Sequence, residues 1–242
     1  EAMEFGSIEH QIWLFFAAST DLRSESADVY RTHRLFWENK RMQLCLEGSA
    51  VNTRELYLPA VLGWDDPSFT STFTKALFGN PNRNMTWWRR KARTLWDTWG
   101  GEPQQMFACG GVDALMAWKQ SLPEDPIPGI GPKIASLIAI FLEEIGMPHV
   151  ADAFPVDIHV QRLMLALRIV VPKREGAIMN DTLEALLRPM LVRLCDETGW
   201  SRIILSHALW FQGNRLCSRC WKTSYMQEVC PVFAACQGAS LS

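Results

Sequence analysis

Ile127-Pro128-Gly129-Ile130-Gly131-Pro132-Lys133-Ile134-Ala135 sets two glycines one residue apart directly ahead of an apolar run that reaches Leu142. Glycine adopts backbone angles that other residues resist, and without a side chain it lets main-chain N–H groups come close to a ligand. At a helix N-terminus such amides form an anion site, and a DNA phosphate is a natural occupant. Phosphate contacts of this kind position a duplex without reading its sequence. Taken alone, G-x-G also describes an ordinary turn between two helices.

Outward from this segment the chain reads as helices separated by Pro/Gly punctuation, at Gly79-Asn80-Pro81, Gly100-Gly101-Glu102-Pro103, Gly110-Gly111 and Asp125-Pro126-Ile127-Pro128-Gly129. Apolar residues recur at three- and four-residue spacing over Leu183–Leu194, with Asp181 or Thr182 placed to cap and Gly199 just beyond. Strand-like alternation is nearly absent, so the fold class expected is all-α. Trp87, Trp88, Trp96 and Trp99 fall beside Arg83, Arg89, Arg90, Lys91 and Arg93. Interleaving of this kind suits a nucleic-acid surface. It suits better a helix that packs its tryptophans inward and leaves its arginines solvated, because helical spacing puts Trp88, Trp96 and Trp99 near one face.

The full pattern I-P-G-I-G-P-K-I-A resembles the hairpin of the helix-hairpin-helix (HhH-GPD) DNA glycosylase superfamily, in particular its endonuclease III-like members, where L-P-G-V-G-x-K-x-A precedes a buried helix. The resemblance implies a V-D-x-H motif a short distance later, carrying the catalytic aspartate. Phe154-Pro155-Val156-Asp157-Ile158-His159 supplies it. The 23 residues from Ile134 to Val156 are a few more than the family spacing, and Glu143–His149 is where the extra length is expected.

Breaking an N-glycosidic bond passes through an oxocarbenium-like sugar, whose positive charge a nearby carboxylate stabilises. Asp157 is the candidate for that role, although it also directly precedes the apolar run Ile158–Leu167 as a helix N-cap would. In the bifunctional members that this chain resembles, the lysine at the position of Lys133 attacks the anomeric carbon and forms a Schiff base, which requires a neutral amine. A solvated first-turn lysine is the alternative. Pro128, Gly129, Ile130, Gly131, His159 and Arg162 are candidate DNA contacts.

Four of the seven cysteines lie in the last 26 residues, as Cys217-x2-Cys220-x9-Cys230-x5-Cys236. Four thiolates this close serve an iron–sulfur cluster or a zinc site, and the residue types alone do not separate the two. The resemblance favours a [4Fe-4S] cluster over zinc, although the family spacing is C-x6-C-x2-C-x5-C and only the last gap agrees. Cysteine used in this way points to a reducing, intracellular compartment, cytoplasmic or nucleoid in a bacterium.

The resemblance implies two helical domains with a DNA cleft between them and a C-terminal metal-cluster loop. Residues 1–7 read as an expression-tag remnant, 8–55 as N-terminal helices packing with the C-terminal part, 56–150 as a helical-barrel domain ending in the helix-hairpin-helix, and 151–242 as the C-terminal helical domain of Asp157 and the cysteines. Residues 61–68 depart from the family: Val61-Leu62-Gly63-Trp64-Asp65-Asp66-Pro67-Ser68 has no glutamine where relatives carry the one that fills the gap left by a flipped base. Trp64 is a candidate for that place, because a planar ring can replace base stacking, and it is equally a candidate for the core.

The expected partner is double-stranded DNA holding a damaged base or an abasic site, bound by a monomer. A net charge of −2 weighs against a protein that coats nucleic acid. Together with the altered wedge it sustains a rival, a non-catalytic or monofunctional lesion-binding protein that retains the hairpin and the cluster. A membrane role is not expected, since the longest apolar stretch, Ile134–Leu142, is too short to cross a bilayer.

Overall fold

The apolar spacing that marks the sequence as helical is realised in a computed structural model, which describes residues 4–20, 31, 34, 81–171, 181–217 and 230–236. Among these residues the regular elements are helices and no strand occurs. The chain divides into two units, Glu1–Val150 and Ala151–Ser242. Trp64 and Cys220 lie outside the described residues. No described helix is long and apolar enough to cross a membrane.

The first unit holds α1 (Ile8–Thr20), α2 (Pro81–Trp99), α3 (Gly111–Ser121) and α4 (Pro132–Glu144), with a 3-10 turn at Pro103–Phe107. Ser7 caps α1, its Oγ accepting from the His10 N–H at 3.1 Å. Residues 4–7 are therefore part of the packed unit, and the Gln11 amide also donates to Gly6 O. On α2, Trp88, Ala92 and Leu95 recur at four- and three-residue spacing and are all buried. The Trp88 ring lies flat on Phe16 of α1, centroids 4.1 Å apart. Helices α1 and α3 both pack on α4, and the 3-10 turn touches all four helices.

Helix α2 departs from the sequence pattern in one respect. Lys91, which stands among the arginines of this segment and three positions from Trp88, turns inward to 2% exposure. Its Nζ donates to both the carbonyl and the hydroxyl of Ser19, each at 3.1 Å. Burial pushes the Lys91 pKa down to about 7; the charge of Asp125 opposes that fall and Lys119 adds to it. An unfolded lysine keeps its proton to near 10.5, so between these values the unfolded chain binds more protons and stability increases with pH, by at most about 1.4 kcal/mol per unit. Denaturant unfolding at pH 7, 8 and 9 will show a rising midpoint in the wild type. Lys91→Met will level it, and an equal slope in both proteins would exclude Lys91 as its source.

The second unit holds α5 (Ile158–Ala166), α6 (Asp181–Thr198) and α7 (Arg202–Phe211), a π-helical turn Gln212–Cys217 that continues α7, and a 3-10 turn Phe233–Ala235. Its core joins Phe154, Val156, Val160, Leu163 and Met164 to Leu187, Leu191 and Cys195, with Cys217 and Val232 packed at its margin. Helix α6 runs past the expected Leu194 to Thr198, with Pro189 inside it and Gly199 directly after. Two buried arginines fix how the chain enters this core. Arg188 pairs with Glu184 at 3.1 Å and donates to the carbonyl of Asp152. Arg202 pairs with Asp196 at 2.5 Å and donates to the carbonyl of Ala151. The segment leading to Asp157 thus starts from an anchored backbone.

Candidate nucleic-acid and metal sites

Pro128 and Gly129 form the corners of a turn closed by the Ile130 N–H on the Ile127 carbonyl at 3.1 Å. Gly129 has φ +80°, the left-handed value that the third position of such a turn demands of a glycine. Ile127 and Ile130, both fully buried, root the turn in the core. Asp125 Oδ1 accepts from the Ile127 N–H at 3.1 Å, while its other oxygen pairs with Lys119 at 3.0 Å. Lys119 Nζ also donates to the Ile130 carbonyl at 2.6 Å. From α2, Arg90 donates to the carbonyl of Asp125 and Thr94 to that of Pro126, at 3.2 and 2.7 Å.

Gly131 is the N-cap of α4 and Pro132 its first residue, so the N–H groups of Lys133 and Ile134 have no carbonyl behind them in the helix. The Ile130 amide and carbonyl are both used within the hairpin. The amides left to face an anion are therefore those of Gly129, Gly131 and the first turn of α4. Lys133 is half-buried, and among the described residues its amine makes no hydrogen bond or ion pair.

In the second unit Asp157 is the N-cap of α5. One carboxylate oxygen, Oδ1, accepts from the N–H groups of His159 and Val160 at 2.8 and 2.9 Å. Oδ2 has no hydrogen-bond partner among the described residues. Asp157 is 8% exposed, so this oxygen belongs to a carboxylate largely withdrawn from water. His159 follows with a buried Nδ1 that has no hydrogen-bond partner among the described residues, and Arg162 is exposed on the same helix. The loop before Asp157, where extra length was expected, opens with Gly146 and carries a 2.8 Å contact between His149 and Glu143.

The π-helical turn is pressed against the start of α5. A Cβ added to Gly213 would lie 2.6 Å from the His159 carbonyl oxygen and 2.8 Å from its carbon. Beside it, the buried Gln212 donates through Nε2 to two sulfurs, Cys217 Sγ at 3.5 Å and Cys230 Sγ at 3.3 Å. Cys217 and Cys230 are thus brought together around one amide. The backbone of the 3-10 turn then links Cys230 to Cys236, through Phe233 N–H to Cys230 O and Cys236 N–H to Phe233 O. All three carry thiols. Among the described residues no three His, Cys, Asp or Glu side chains converge on one metal position. Sulfurs held by an amide donor suit thiolate ligands, because a charged acceptor strengthens such a bond.

Several positioning residues escape a reading of the sequence alone. Lys119, Arg90 and Thr94 hold the hairpin from other elements, Arg188 and Arg202 hold the approach to Asp157, and Gln212 joins two cysteines. Only Gln212-Gly213 carries a local signal, a polar residue and a glycine placed just ahead of Cys217. Compared with protein-family models, curated proteins and solved structures, the chain matches none.

Proposed function

We propose that the chain is a base-excision DNA glycosylase of the helix-hairpin-helix class, releasing a damaged base from duplex DNA and cleaving the resulting abasic site through Lys133. The observation that carries this is the hairpin: a turn braced by three side chains from two helices, with Lys133 at the second position of the helix it opens. In this mechanism the amides of Gly129, Gly131 and the first turn of α4 receive a backbone phosphate. Arg162, exposed on α5, adds a phosphate contact, with His159 beside it. Asp157 keeps one oxygen on its own helix and offers the other to the sugar as positive charge develops. Lys133 Nζ then adds to C1′ of the opened abasic sugar, water leaves, and the iminium permits loss of the 2′ proton and departure of the 3′ phosphate.

Cys217, Cys220, Cys230 and Cys236 would hold a [4Fe-4S] cluster, with zinc as the alternative occupant. The metal would supply a structural clamp for the chain between Cys217 and Cys236. Borohydride trapping on abasic-site DNA tests the lyase step: a covalent adduct is expected and Lys133→Ala should abolish it. A panel of oxidised, alkylated and mismatched bases tests base release. DNA binding with neither adduct nor release would move the protein to the non-catalytic class.

A further inference from the structure

We infer that Gln212 is a positioning residue of the metal centre, its side-chain amide donating one hydrogen to each of two ligand sulfurs, Cys217 and Cys230. The inference rests on the metal reading of the cysteine tail and adds a residue to it. Its basis is geometric. One nitrogen lies within hydrogen-bond reach of both sulfurs, at 3.5 and 3.3 Å, although the two cysteines are separated by twelve residues of chain. A primary amide has two N–H donors, so both contacts are served at once.

Gln212 is held where it must be. It is only 8% exposed, its backbone continues α7 into the π-helical turn, and Gly213 beside it is seated against His159. A buried amide between two thiols would be an indifferent arrangement, since neutral sulfur is a weak acceptor. Between two thiolates it becomes a charge-assisted pair. The donor lowers the negative charge that the sulfurs must bear and fixes their separation before a metal arrives. Outer residues that orient ligands in this way typically account for about 10- to 100-fold in metal affinity.

The test compares full-length wild type, Gln212→Met, Gln212→Glu and Cys230→Ser, purified without oxygen. Iron and zinc contents are measured first, then metal release to a chromogenic chelator, with far-UV circular dichroism to monitor folding. The wild type should carry metal and Cys230→Ser should not. Gln212→Met should lose metal about 10- to 100-fold more readily, and Gln212→Glu more readily still, because it sets a carboxylate against thiolates. Retention equal to wild type in both variants would overturn the role of Gln212 and leave the metal reading standing. A wild type free of iron and zinc would overturn both. A second measurement needs no variant: in cadmium-113-substituted, nitrogen-15-labelled protein, the Gln212 side-chain amide protons should show scalar coupling to the metal through the N–H···S bonds. Absence of that coupling in a protein that binds cadmium counts against the inference even if the variants fail to fold.

Discussion

Gly213→Ala will lower the stability of the second unit by about 2–3 kcal/mol, the cost of forcing one methyl group into a filled space. The new Cβ would meet backbone, the His159 carbonyl oxygen at 2.6 Å and carbon at 2.8 Å, and not the pliable end of a side chain. Relief requires the π-helical turn to lift from α5, and Gln212, Cys217 and the margin of the core move with it. A loss of this size corresponds to a fall of about 10 °C or more in the melting temperature of a unit this small. Thermal unfolding checks it, and a midpoint within about 2 °C of wild type would mean that the contact is readily relieved.

Under the proposed function, substitution separates the capping of α5 by Asp157 from its proposed part in base release. Asparagine is as good an N-cap as aspartate, so Asp157→Asn should keep the bonds from His159 and Val160 and unfold near the wild-type midpoint. It removes the charge, and base release should slow by about 10²- to 10³-fold, in line with the loss of one preorganised electrostatic group. Asp157→Ala loses the cap as well, at about 1 kcal/mol. Base release by Asp157→Asn at the wild-type rate would confine the carboxylate to capping. Single-turnover kinetics on the best substrate of the lesion panel, with binding measured separately, distinguishes the outcomes.

What the sequence made legible is local. The turn at Pro128-Gly129 follows from glycine and proline chemistry, α4 from the apolar run behind it, and the cap by Asp157 from its place ahead of Ile158. The helical class follows from three- and four-residue spacing. What remained hidden depends on partners far along the chain. Lys91 looks solvated until α1 brings Ser19 to it, 72 residues away. Arg90 belongs by composition to a basic surface, yet it grips the loop before the hairpin 35 residues on. Arg188 and Arg202 carry no mark in sequence that their targets are the carbonyls of Asp152 and Ala151. Gln212 gains its two sulfur partners only where Cys230 lies beside Cys217.

Lys119, Asp125, Arg90 and Thr94 brace the hairpin from within the first unit, and this has a thermodynamic consequence. The backbone entropy of ordering this turn is surrendered when the first unit folds, so the proposed docking of a DNA phosphate would have little of it left to lose. Under the proposed function, DNA association through this turn is expected to be sensitive to salt through displaced counterions and nearly indifferent to loop ordering. Truncating Lys119 would shift that entropy from folding to binding, turning a rigid receptor into one that must be shaped by its ligand.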